Sequence, residues 1–116
     1  MILKNSTTPV RKDKMGGSGN GFGDFFYIPI PDQDGAFIMT TRIELVPDSS
    51  IGYHKHSDNE EVYFIMSGHG LYMEEGEEIE VNPGDILLCR MGKSHGIKNN
   101  GSDKLIIGAA IAKKIN

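Results

Sequence analysis

Cysteine occurs once in the 116 residues, so no disulfide can close within the chain, and a reducing, cytoplasmic location is expected. That residue, Cys89, ends the apolar run Ile86-Leu87-Leu88, where a thiol behaves as a small buried hydrophobe rather than a nucleophile. No run of about 18 apolar residues occurs, so no helix is expected to cross a bilayer. The opening Met1-Ile2-Leu3-Lys4-Asn5 lacks the charged segment and apolar stretch of a signal peptide. Positive charge is not in excess either. Twelve basic against 16 acidic side chains leave a net charge of −4, without the basic footprint of a nucleic-acid binder. Neither nucleic acid nor a membrane is therefore expected as a partner. A capped amphipathic helix is also missing.

What remains is a text of short apolar runs and turns. Residues 1–21 read as an N-terminal arm and loop. Lys4, Arg11, Lys12 and Lys14 crowd it, as a solvated basic arm or, alternatively, a phosphate or lipid contact. Met15-Gly16-Gly17-Ser18-Gly19-Asn20-Gly21 is too glycine-rich for a helix or packed strand and reads as a connector. It lacks the Gly-Lys-Ser/Thr ending of a phosphate-cradling loop. Residues 22–116 form the single domain that this length allows. Strands are expected over Phe22–Ile30, Phe37–Val46, Val62–Met66, Gly70–Met73, Ile79–Val81, Ile86–Met91, Gly96–Lys98 and Lys104–Ala112. Gly68, Gly76, Gly84, Gly92 and Gly101 punctuate the second half every eight or nine residues. Regular short strands with glycine turns predict an all-β sandwich or barrel. The last strand is apolar on both faces, one for the interior and one for a second subunit, which makes a homodimer the expected assembly.

Chemistry concentrates in His54-Lys55-His56-Ser57-Asp58-Asn59-Glu60-Glu61. Residues two apart on an extended strand point to the same side, so both imidazoles can meet one point in space. The polar turn Ser57-Asp58-Asn59 lets the next strand return with a carboxylate beside them. His95, after Gly92-Lys93-Ser94, is the natural third nitrogen. Such a set suits Mn, Fe, Co, Ni or Zn rather than calcium, which takes oxygen ligands. Alone, His-x-His is a weak signal that two surface histidines explain about as well. His69 lies in Ser67-Gly68-His69-Gly70 and reads as an exposed turn residue.

The segment Gly52–Gly68 resembles the first motif of the cupin family, and Gly84–Asn99 resembles the second, with its terminal His-x-x-x-Asn. Together they cover about 33 residues. The resemblance implies a double-stranded β-helix, or jelly-roll barrel, that holds one divalent transition metal (Mn, Fe, Ni, Co or Zn) in its mouth through His54, His56, Glu61 and His95. It also implies frequent dimers. Two departures stand out: Arg90 replaces a usual proline, and Asp48 or Ser49 replaces an upstream glycine. Glu60 competes with Glu61 as the carboxylate. Counting back from Gly68 favours Glu61, and alternation then sends Glu61, Tyr63 and Ile65 inward.

An ion held by four protein groups retains positions for a ligand if it exceeds four-coordination, and it can polarise a carbonyl or chelate a carboxylate. A closed structural zinc site is disfavoured because such sites are cysteine-rich. Around the metal, Tyr63 is a candidate catalytic hydroxyl, Arg42 a candidate anchor for a carboxylate, and Tyr27 with Phe25 a candidate lid and substrate contact. The resemblance allows oxygen-dependent cleavage, decarboxylation of small acids, or isomerase, cyclase and lyase chemistry. The preferred reading is a metal-dependent enzyme acting on a small oxygen-rich substrate. The alternatives are a non-catalytic binding or sensing protein, and a structural or interaction protein with an inert metal site.

Overall fold

The structure is a computed structural model that describes residues 1–32 and 34–114. Ten strands are present among the described residues: β1 (Val10–Asp13), β2 (Phe22–Tyr27), β3 (Phe37–Leu45), β4 (Ser50–Lys55), β5 (Asn59–Ser67), β6 (Gly70–Glu74), β7 (Glu77–Val81), β8 (Ile86–Cys89), β9 (Ser94–Lys98) and β10 (Leu105–Lys113). A short 3-10 turn, Met15–Gly17, separates β1 from β2. The strands form a six-stranded sheet, β1-β2-β3-β10-β5-β8, and a four-stranded one, β4-β9-β6-β7, with every pairing antiparallel. No helix among the described residues is long and apolar enough to cross a membrane.

The interior between the sheets follows the two-residue period of the strands. Thr41, Ile43 and Leu45 of β3, Glu61, Tyr63 and Ile65 of β5, and Leu105, Ile107 and Ala109 of β10 are all buried. Facing them from the smaller sheet are Ile51, Tyr72, Val81 and Ile97. Gly68, Gly76, Gly84 and Gly92 each carry a positive φ, which accounts for their even spacing: each turns the chain where L side chains are disfavoured. The side chain of Asn99, fully buried, donates to the carbonyls of Leu45 and Asp103 and accepts from the Gly101 N–H. It thereby ties the end of β9 to β3 and to the turn before β10.

Residues 10–17 are not a free arm. β1 pairs residue for residue with β2, and Arg11 lies opposite Asp24, holding it through two hydrogen bonds of 2.9 and 3.1 Å. All four β1 residues are exposed, so this edge strand leaves no apolar alternation to read. The glycine loop is likewise no simple connector, since Met15 is a core residue at 4% exposure. Strand β2 stops at Tyr27, short of Pro29, because proline offers no N–H to the ladder. Residues 115 and 116, assigned to the domain from sequence, lie outside the described residues.

Candidate metal centre

His54 faces inward because of an irregularity in β4. Ile51 pairs with Ile97, yet His54 pairs with His95, so three steps on β4 match two on β9. Strict alternation from buried Ile51 would turn His54 outward. The bulge at Gly52 and Tyr53 resets the parity and re-aims the ring. His56 follows just beyond the strand, its N–H bonded to the Lys93 carbonyl at 2.9 Å. His95 comes from β9 and Glu61 from β5, so the four ligands are drawn from both sheets. Their ligating atoms lie within 4.8 Å of one another, with His56, Glu61 and His95 buried and His54 half-buried. Glu60 faces away, bonded to Arg90 at 3.0 Å, which settles the carboxylate in favour of Glu61.

The hydrogen bonds around the rings determine what the centre can hold. His54 Nδ1–H donates to the Gly52 carbonyl at 2.7 Å, and His56 Nδ1–H donates to Asn59 Oδ1 at 2.6 Å. Both rings, when neutral, therefore turn the Nε2 lone pair to the centre, as metal-binding histidines do when an oxygen holds the other ring nitrogen. His95 Nδ1 meets the Tyr72 hydroxyl at 3.0 Å, which frees its Nε2 in the same way. His56 Nε2, His95 Nε2 and Glu61 Oε1 stand 3.0, 3.1 and 3.2 Å apart. Three lone pairs this close repel one another unless a metal ion, or in its absence a proton shared between the rings and Glu61, lies among them. A donor set of three imidazole nitrogens and one carboxylate, with no thiolate, fits one divalent transition metal.

The titration behaviour follows from the same contacts. The hydrogen bond to Glu61 raises the His56 pKa above its ordinary value, against the opposing effect of burial. Burial is the main cause that lowers His54, opposed by its bond to Gly52. Burial pushes Glu61 upward, but the bonds from His56 and His95, with the charge on those rings, outweigh it and leave the carboxyl below its ordinary value.

The centre opens into a cavity of about 200 Å³. Met15, Phe25, Met39, Ile51 and Ile111 wall it, Tyr63 lines it, and Lys12 from β1 reaches it from the exposed edge strand. Tyr63 is buried beneath the metal ligands and stacks on His95 with ring centroids 5.0 Å apart. Burial first, and the Glu61 charge second, raise its pKa well above the ordinary value, so its hydroxyl stays protonated.

Two sequence expectations do not survive. Arg42 does not reach the cavity: it lies on the outer face, 4.0 Å over the Phe26 ring, bonded to Glu44 and to Asn5 and Ser6 of the N-terminal segment. On β3 the inward positions are Met39, Thr41, Ile43 and Leu45. Tyr27 does not line the cavity either, but stacks behind Phe25 at 5.8 Å, and Phe25 forms the wall. His69 is exposed and bonded to Asn82, away from the centre. Cys89 is fully buried, and burial pushes its thiol up to about 11.

Three contributors escaped the sequence reading. Tyr72 holds His95, Asn59 holds His56, and Gly16 packs against His54, where a Cβ would lie 2.8 Å from Nδ1. Alternation along β6 pointed to Tyr72 as an inward residue, since Gly70 and Tyr72 share a face.

Known proteins with related sequences bear on this centre. An oxalate-binding protein of Thermotoga maritima is 37% identical over 73 residues, which span 63% of this chain and 60% of that protein. An uncharacterized protein of Methanocaldococcus jannaschii is 39% identical over 54 residues, 47% of this chain and 43% of its own. The matches thus cover less than two thirds of either relative. The crystal structure of a predicted oxalate decarboxylase from Thermotoga maritima superposes with a TM-score of 0.91 at 30% identity, covering 98% of this chain and all of that one. The Cnp3 cupin domain of Schizosaccharomyces pombe shares the fold at a TM-score of 0.71 and 13% identity, over 79% of this chain and 61% of its own. The cupin-domain pattern itself matches residues 41–109, from within β3 to the middle of β10, and the chain belongs to the cupin family.

Proposed function

We propose that this chain is a metal-dependent enzyme whose substrate is a small oxygen-rich anion of oxalate's class, with decarboxylation as its reaction. The observation that carries the reading is the placement of four metal ligands on a cavity of about 200 Å³ with mainly apolar walls, room for a ligand of a few heavy atoms. The relatives named for oxalate support that class. A divalent ion held there supplies free ligand positions and a Lewis acid for a chelating carboxylate. The protein contributes the rest. Asn59, Gly52 and Tyr72 fix the three imidazoles, and the apolar walls exclude water from the carboxylate. Breaking the carbon–carbon bond of oxalate releases carbon dioxide. The bonding pair stays on the remaining carbon, which takes a proton from solvent to give formate.

A second reading, binding without turnover, is favoured by one feature of the cavity. Beyond the ligands, its titratable lining groups among the described residues are Lys12 and a Tyr63 hydroxyl held protonated, so none of these supplies a free carboxyl or imidazole as an acid–base group. Carbon-13 oxalate added to manganese- or cobalt-loaded protein separates the two. Labelled formate and carbon dioxide support the enzyme; tight retention with no formate supports the binding protein; neither outcome sinks both.

The chain also has a surface suited to self-association. Phe64, Met66, Ile86 and Leu88 stand exposed on the outer face of β5 and β8, with Phe64 opposite Ile86 across the ladder. Two such faces related by a twofold axis cover each other with like surface, so a homodimer is the proposed assembly.

A further inference from the structure

We infer that Lys12 is a specificity-determining residue that selects doubly charged over singly charged ligands at the metal; the inference rests on reading the centre as a site for small carboxylates. Lys12 is the single basic side chain among the cavity's lining residues apart from the metal-ligating histidines. Its backbone is fixed by the β1–β2 ladder, where it stands opposite Gly23, a position with no side chain to obstruct it. Neighbouring Arg11 points the other way, to Asp24 and the Phe22 ring, so alternation along this short strand divides the two cations between outside and cavity.

Among the described residues, no carboxylate lies within ion-pairing distance of the Lys12 ammonium. It lies 5.2 Å from the Phe25 centroid and 5.0 Å from that of Tyr27, two stacked rings at the cavity wall. Such cation–π contacts are weak at exposed sites and hold the ammonium near the cavity without neutralising it.

Charge balance gives the preference. A divalent ion with one carboxylate ligand and three neutral imidazoles carries a single net positive charge. A monoanion neutralises it. Lys12 adds a second positive charge on the same cavity, so a dianion such as oxalate leaves the assembly neutral while a monoanion leaves the ammonium uncompensated. Apolar walls strengthen this preference by keeping the local dielectric low.

Calorimetric titration of metal-loaded protein with oxalate and with glycolate, a singly charged chelator of similar size, tests the assignment. Lys12→Met is expected to weaken oxalate binding roughly 10- to 100-fold, the loss of one charge-assisted contact, and to leave glycolate within about twofold. Lys12→Arg is expected to recover most of the oxalate affinity, with metal content unchanged in both variants. Equal losses for the two ligands, or no loss for either, overturn the role of Lys12 while leaving the carboxylate site standing. A wild-type protein that takes up metal but binds neither ligand overturns the site and this inference together.

Discussion

Replacing Tyr72 by phenylalanine removes one oxygen atom from a place where little else can change. The Tyr72 and His95 side chains are almost wholly buried, and the hydroxyl stands 3.0 Å from His95 Nδ1. When Nε2 faces the metal, Nδ1 carries the hydrogen and the tyrosine oxygen accepts it. The variant leaves a buried N–H without a partner, a loss of about 1–3 kcal/mol. Because metal binding polarises the imidazole, most of that loss falls on the metal-bound state. At about 1.4 kcal/mol per tenfold, it corresponds to roughly 5- to 150-fold, in line with the 10- to 100-fold cost typical of groups that hydrogen-bond a metal-ligating side chain. Competition against a chromophoric chelator measures the affinity, and near-ultraviolet circular dichroism checks that the barrel is intact. Tyr53→Phe serves as the control: its hydroxyl accepts from the Glu75 N–H at 3.2 Å on the exposed side, and no change in affinity is expected. An affinity for Tyr72→Phe within twofold of wild type, with the fold preserved, refutes the argument and reduces Tyr72 to packing.

Two further substitutions test the surroundings of the centre. Gly16 has φ +66°, and an added Cβ would lie 2.6 Å from the Gly52 carbonyl and 2.8 Å from His54 Nδ1, while Gly17, at φ +87°, has nothing within 4 Å. Gly17→Ala is expected to lose only the backbone cost, about 1–2 kcal/mol in urea unfolding. Gly16→Ala should lose more, together with metal affinity; equal stability losses with intact affinity in both rule out a steric role at His54. Sedimentation at micromolar concentration is expected to show a dimer that Phe64→Asp converts to a folded monomer, and a monomeric wild type disposes of the proposed interface.

How much of this was legible in the sequence depended on the distance over which each contact acts. His54, His56 and the turn to Glu61 form one local segment, and the two cupin-like motifs carried His95 with them. The inward set on β5 followed from alternation once the spacing to Gly68 had favoured Glu61 over Glu60. Tyr72 lies 23 residues from His95, and no local pattern announces that β6 and β9 become neighbours. Gly16 was harder still, because its partner is a backbone carbonyl of β4 and the sequence shows only another glycine in a glycine-rich loop. Strand β1 left no periodic trace because an exposed edge strand is set by its partner's hydrogen bonds, not by burial. Arg42 was misplaced as a cavity residue because β3 carries polar residues in both registers: Thr41 is buried, and Arg42 and Glu44 pair on the other side.

Arg90 shows how a departure from the family's motif can be absorbed without touching the metal. Where the motif usually has proline, this chain ends β8 with Cys89 and presents Arg90 in the open turn, bonded to Glu60 at 3.0 Å. The pair is largely exposed, with side chains at 69% and 38%, so solvent screening leaves it worth little to stability. Its consequence is positional. Glu60 and Glu61 are adjacent carboxylates at the start of β5, and a one-residue slip in register would exchange their faces. Cys89 pairs with Glu61, which places Arg90 just beyond the ladder and beside the outward carboxylate. In the slipped register Glu60 would turn inward, Arg90 would lose its partner, and Tyr63 and Ile65 would leave the core. The exposed ion pair and the buried apolar residues therefore favour the same register, the one that delivers Glu61 to the three histidines.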